Sequence, residues 1–277
     1  MIRRILVGVS GTPGLADKLA YVVELAARHR AEIGALSIVE VERLADLQPS
    51  PLGGSDAGDL AAAERIRQSS DNAEQTLREL ERLGPQHGVA VTRLERRGDP
   101  LDELLRACRY HDLLVLSLRG WFEEGVLEEP ENALLKLLAS GVRPILGLAA
   151  TQSPIGKVMI AYNGSVESAR AMKLYAQLRL WGEVPVDLVC AEEGEGMESC
   201  ATLLDDASAY LRAHGLDCTT ACLPEATPET LLAHAQAVGA DLVVMGGSYR
   251  RVLLSQRCGP HTLGVFRSTP LPVLFAH

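Results

Sequence analysis

Short runs of consecutive aliphatic residues alternate with longer segments whose apolar positions recur every three or four residues, and the alternation continues to the end of the chain. The runs Ile5–Val9, Ile33–Val39, Val89–Leu94, Leu113–Ser117 and Pro144–Leu148 predict strands, the most continuous of them suited to a parallel sheet covered on both faces. Between them, Leu15, Leu19, Val22, Val23 and Ala26 define one apolar helical face, and Ile66, Ala73, Leu77 and Leu80 define another. Gly84-Pro85 reads as the stop of that second helix. A helix over Pro100–Tyr110 carries proline in its first turn, and Asn132–Ser140 supplies a last one. Gln48–Ser55, rich in Pro, Gly and Ser, is expected to be a mobile loop.

The second half repeats this plan, with strands predicted at Val158–Ala161, Val186–Ala191, Cys218–Leu223, Leu242–Gly246 and Val273–Phe275. Its first helix places Ala171, Leu174, Tyr175 and Leu178 on one face, and its second stops at Gly215. The likeness extends to residues. Ile5–Gly11 returns 153 positions later as Val158–Gly164, Asp112–Ser117 returns 129 positions later as Asp241–Gly246, and Pro144–Leu148 is echoed by Pro272–Phe275. Duplication explains three strands recurring in one order, and predicts domains at 1–150 and 155–277 joined by the short linker Ala149–Pro154. Alternating strands and helices imply an α/β fold of two tandem doubly wound, five-stranded parallel sheets, Rossmann-like, with right-handed crossovers. Ligands of such sheets sit beyond the carboxyl ends of the strands, where strand order reverses.

Composition narrows the function classes. Each half is long enough for its own core, and 47% hydrophobic with 23% charged residues is ordinary for a globular protein. The net charge of −9 is shared by both halves, so neither offers the basic surface that nucleic acid demands. The amino-terminal apolar run is too short for a signal segment, and no stretch approaches a membrane span, so a cytoplasmic protein without membrane contact is expected. The six cysteines lack paired short spacings, and a reduced, buried, inert role is expected for all. Cys218 and Cys222 share one face of a strand at about 13 Å, too far to bridge.

The short first strand with Gly11 or Gly164 just beyond it, Asp112-Leu-Leu-Val or Asp241-Leu-Val-Val-Met-Gly246 in the fourth, and Pro272-Val-Leu-Phe in the last resemble universal stress protein domains, over nearly the whole chain. The resemblance implies a fold of the adenine-nucleotide alpha-hydrolase type. Its ATP-binding members carry Gly-x2-Gly-x9-Gly-Ser/Thr after the fourth strand, where glycines admit phosphate and a helix start attracts it. Repeat two reads Gly246, Tyr249, Gly259 and Pro260 in this register, with Gly247 beside the first glycine and Thr262 near enough to substitute for the lost hydroxyl. Arg250, Arg251 and Arg257 either solvate or add positive charge to the loop. Repeat one reads Ser117, Gly120, Pro130 and Glu131, and Glu123, Glu124, Glu128 and Glu129 lie between. Like charges 4 Å apart repel by about 1 kcal/mol even in water, so this copy is expected to reject phosphate.

The family's aspartate after the first strand, implied to contact the nucleoside, is Ser10 in repeat one and Asn163 in repeat two. The positions implied to line the adenine are Ile38 and Ala191, although Glu192, Glu193 and Glu195 beyond Ala191 disfavour polyphosphate. Asn163, Ala191, Gly246, Gly247, Gly259 and Thr262 are therefore the candidate cofactor-binding residues, for ATP or AMP in domain 2, with no intrinsic metal. The resemblance also implies that the final strands of the two domains pair antiparallel, here within one chain. A second copy and an unidentified protein are the further partners this reading admits.

Catalytic constellations are missing from the sequence. The seven histidines form no metal-ligand spacing, and His29, His87, His111 and His214 are expected to be solvated at helix or loop ends. Neither a nucleophile elbow nor a P-loop is present. Asp112 and Asp241 suit capping or loop hydrogen bonds better than catalysis. The expectation is a non-enzymatic stress-response protein acting through ligand or protein binding. The alternatives are an ATP-binding switch with slow hydrolysis and a small-molecule enzyme of the adenine-nucleotide α/β group.

Overall fold

The computed structural model describes residues 2–9, 15, 18–39, 56–117, 136–137, 144–149, 153–191, 199–247, 249–252, 255–258, 265 and 269–276. The loop expected at 48–55 and nearly all of the helix expected at 132–140 lie outside them. Two compact units emerge, Arg3–Glu128 and Met1–Ile2 with Glu129–His277.

The first unit contains β1 (Arg4–Val9), α1 (Leu19–His29), β2 (Glu32–Val39), α2 (Asp56–Gln86), β3 (Val91–Arg97), α3 (Pro100–Cys108) and β4 (Leu113–Ser117). Its strands lie in the order β3-β2-β1-β4, all parallel. β1 is central, and Ile5, Leu6 and Val7 are wholly buried because both faces are covered. Burying such side chains stabilises by roughly 1.5–3 kcal/mol each before entropy is charged against it. α1 turns the apolar face expected of it inward, burying Leu19, Val22, Val23 and Ala26. The helix expected to stop at Gly84-Pro85 runs on to Gln86, and Gly88 (φ 70°) makes the left-handed turn that ends it. Gly84 serves packing instead, since a Cβ there would stand 2.4 Å from Val91 Cγ2.

In the second unit the elements are β5 (Ile145–Leu148), β6 (Val158–Ala161), α4 (Val166–Leu178), β7 (Val186–Ala191), α5 (Cys200–Ala213), β8 (Cys218–Leu223), α6 (Pro228–Ala237), β9 (Leu242–Gly246), β10 (Tyr249–Val252), β11 (Ser255–Cys258) and β12 (Val273–Ala276). The sheet order is β5-β12-β9-β6-β7-β8. Every neighbour pair is parallel except β5 and β12, which run antiparallel with Leu146 opposite Leu274. β10 and β11 form a separate antiparallel ribbon where sequence suggested an irregular loop. α4, α5 and α6 each start on a hydroxyl that accepts a backbone N–H from the first turn, from Ser165, Ser199 and Thr227. Among the described residues no helix is long and apolar enough to cross a membrane.

The repeated aspartates occupy the same position in both units. Asp112 Oδ2 accepts hydrogen bonds from the backbone N–H groups of Arg3 (2.8 Å) and Arg4 (3.1 Å). Asp241 Oδ2 accepts from those of Gly156 (2.8 Å) and Lys157 (3.0 Å). Each carboxylate, at the start of a fourth strand, fixes the chain as it enters the first strand beside it.

A histidine expected in solvent is instead part of the core. His111 is 6% exposed, its Nδ1 lies 2.7 Å from the Ala107 carbonyl, and its Nε2 rests over Gly34, where a Cβ would come within 2.5 Å. Nδ1 therefore carries the proton, and Nε2 is left without a hydrogen-bond partner. In the second unit, β7 places Asp187 where β2 has Gly34, and Ala240 stands where His111 does. There the imidazole comes from α6: His234 Nε2 lies 2.7 Å from Asp187 Oδ2, and Thr219 Oγ1 donates to Asp187 Oδ1 at 2.8 Å.

Asp241→Ala leaves two backbone donors without their carboxylate, and a loss of about 1–3 kcal/mol in urea unfolding free energy is expected. A loss below a few tenths would remove the latch role. Burial lowers the pKa of His111, outweighing its bond to Ala107, so the folded state prefers the neutral ring. The stability this confers is complete above the unfolded value of about 6.5 and declines as pH falls below it. Urea unfolding between pH 7.5 and 5 should show a shallower pH slope for His111→Gln than for the parent chain.

Candidate functional site

In the second unit three adjacent strands, β7, β6 and β9, end together at their carboxyl edge. Ala191 closes β7 and is buried. The N–H of Tyr162 donates to Val189 O at 2.8 Å, carrying the β6 to β7 ladder one residue past the strand, and Asn163 follows at the exposed rim. Gly246 closes β9, and Gly247 comes next. The structure thus gathers Asn163, Ala191, Gly246 and Gly247 along one edge. Gly259, Pro260 and Thr262 lie outside the described residues, as do Glu192, Glu193, Glu195 and, in the first unit, Ser10 and 118–135. Arg250, Arg251 and Arg257 are described only as backbone of β10 and β11. Ile38 is a partly buried residue near the end of β2.

The turn from β6 into α4 is ordered by its own side chains. Asn163 Oδ1 accepts from the Ser165 N–H at 3.2 Å, an Asx turn. Gly164 takes φ 75°, and a Cβ on it would press within 2.8 Å of Leu203. Ser165 Oγ accepts from the Ser168 N–H at 3.2 Å, and the buried Ser168 hydroxyl donates back to Ser165 O at 3.0 Å. The Asn163 side chain is thereby held with its amide NH2 as the donor it can offer a ligand.

Gly246 owes its identity to helix packing. A Cβ there would stand 2.6 Å from both Glu167 C and Ser168 N, so the first turn of α4 sits directly on the strand end. A helix start aimed at a strand edge attracts an anion. Two features oppose that attraction here. Glu167 places a carboxylate in the first turn of α4, and the Gly247 N–H donates to Ala276 O at 2.9 Å, within the sheet. Beyond Gly247, the backbone of Tyr249–Val252 pairs with that of Ser255–Cys258, so a segment suited to wrapping phosphate is folded onto itself.

The sequence reading passed over Asp187 and His234. An aspartate inside the aliphatic run Val186–Ala191 was the available signal, because a buried carboxylate requires donors. The pair lies at the amino end of β7, about 13 Å of strand from Ala191, and clamps α6 to the sheet instead of joining the site. Among the described residues no group of three or more His, Cys, Asp or Glu side chains is placed to hold a metal. Cys108 is buried and its thiol is pushed up to about 12, which keeps it protonated; Cys218 is shifted upward by burial too. Cys222, expected to be buried, is exposed because β8 is an edge strand.

Residues 1–138 match the model of the Universal stress protein family. Among solved structures, a universal stress protein from Archaeoglobus fulgidus DSM 4304 is 18% identical, covers 99% of this chain and 95% of its own length, and superposes with a TM-score of 0.70. A putative universal stress protein from Pseudomonas aeruginosa UCBPP-PA14 is 16% identical over 99% of this chain and 93% of its own, with a TM-score of 0.59. A universal stress protein from Archaeoglobus fulgidus, solved in complex with dAMP, covers 45% of this chain and 100% of its own at 19% identity, with a TM-score of 0.35. Comparison with curated proteins gave no match. The two whole-length likenesses agree with the mostly parallel α/β architecture, and through its domain at residues 1–138 the chain belongs to the universal stress protein family.

Proposed function

We propose that this chain is a cytoplasmic stress-response protein that acts by binding a ligand or a protein and not by catalysis, with adenine-nucleotide affinity confined to its second domain and weak. The carrying observation is the divided state of the β7-β6-β9 edge. The nucleoside side is furnished: Asn163 is held by its Asx turn, and Ala191 offers a small apolar strand end. The phosphate side is compromised, because the Gly247 N–H is engaged by Ala276 and Glu167 adds a carboxylate to the first turn of α4, where negative charge would gather. AMP should therefore bind about as well as ATP. The antiparallel register of Ile145 with Phe275 supports pairing of the final strands of the two repeats within one chain, in place of pairing between two subunits.

Calorimetric titration of the full chain with AMP and with Mg-ATP tests the division. Dissociation constants in the millimolar range, about −4 kcal/mol, and within tenfold of each other are expected, with the AMP signal lost in Asn163→Leu. Affinity for Mg-ATP more than tenfold above that for AMP would restore a working phosphate cradle and favour the ATP-switch reading. No heat from either nucleotide would leave protein binding as the function.

A further inference from the structure

Cys190 on β7 and Cys222 on β8 are direct partners in the parallel ladder, which puts their side chains on the same face of the sheet. They are 32 residues apart in the chain, and no spacing rule connects them. Both are thiols, and their surroundings differ in a useful way: Cys190 is 3% exposed, whereas Cys222 lies exposed on the edge strand. Neighbouring strands run about 4.8 Å apart, inside the roughly 4.4–6.8 Å window of Cα separations that a disulfide spans. The Cβ atoms must close to about 3.8 Å, an approach of roughly 1 Å. Among the described residues β8 has a ladder on one side only, which lets it lean by that amount at Cys222.

We propose that Cys190 and Cys222 form a peroxide-oxidised, reversible disulfide that staples the edge strand β8 to β7. The Cys222 sulfur, as thiolate, attacks one oxygen of hydrogen peroxide; the O–O bond breaks, and the departing hydroxide takes up the thiol proton as water, leaving a sulfenic acid. The Cys190 thiol, whose proton rests on a weak 3.6 Å contact to the Ala191 carbonyl, then attacks the Cys222 sulfur. The S–O bond breaks as the S–S bond forms, and hydroxide leaves with the Cys190 proton as a second water. Two electrons pass from the two thiols to the peroxide, and a small dithiol returns them by thiol–disulfide exchange. Among the other described cysteines, Cys108, Cys200 and Cys218 are buried and so cannot meet peroxide first, and Cys218 faces Val186 across the ladder in place of a second cysteine. The inference is independent of nucleotide binding.

The full chain, reduced and then treated with a small molar excess of hydrogen peroxide, is expected to lose about 2 Da and two of its six titratable thiols, and to regain both with dithiothreitol. Digestion with trypsin and a glutamyl endopeptidase, which cuts at Glu192 and Glu193 between Cys190 and Cys200, should yield one linked peptide pair under non-reducing conditions. Fragmentation should place the bridge at Cys222 and not at Cys218. Cys222→Ser, at an exposed position that tolerates serine, should abolish the linked pair, whereas Cys218→Ser should keep it. A bridge to Cys200 or Cys218, a disulfide between two chains through Cys222, or over-oxidation of Cys222 with no bridge would each overturn the assignment.

Discussion

The carboxylate that starts the fourth strand of each repeat holds the first strand in its place. In both copies a single oxygen, of Asp112 or Asp241, accepts two consecutive backbone N–H groups, and the N–H of the same aspartate donates to the carbonyl of Arg4 or Lys157. The position is a junction that no helix bridges locally, because the two strands are far apart in the chain yet adjacent in the sheet. Four groups that would otherwise meet water are satisfied there, and the register of the central strand is set. The buried runs Ile5–Val9 of β1 and Val158–Ile160 of β6 depend on that register, since a slip by one residue would exchange the faces of every side chain in them.

The two units share this latch and differ in the core around it. Beside the amino end of the second strand, one copy seats a neutral imidazole against a glycine, and the other joins an aspartate to a histidine from α6. Both solutions fill a similar place with a ring, but they answer polarity differently. Gly34 admits His111 by having no side chain, at the cost of an unsatisfied Nε2, whereas Asp187 meets two donors and is itself satisfied.

At the carboxyl edge, one glycine has two readings. Gly246 falls at the first glycine of a nucleotide-binding pattern, yet its surroundings require glycine for a different reason, the close seat of α4 on β9. A residue so constrained stays glycine whether or not phosphate ever binds, which makes it poor evidence of a ligand. Asn163 says more, because its Asx turn engages Oδ1 while its amide NH2 remains a donor at an exposed position.

The order of strands and helices was legible from the sequence, since apolar periodicity is a local property, and most strand boundaries agree within two residues. The proline that opens α3 and the hydrogen-bonding role of the two aspartates were legible for the same reason: each depends on near neighbours or on a recurring motif. Other features were not. The continuation of α2 past Gly84, the burial of His111 and the Asp187 to His234 clamp all depend on which distant segment lies opposite, and the antiparallel pairing of β5 with β12 was expected only through the family resemblance. The juxtaposition of Cys190 and Cys222 is of the same kind. Sequence fixes what each segment prefers to be, and packing decides what it faces, because register between strands is chosen by the burial of whole surfaces and not by any one pair of residues.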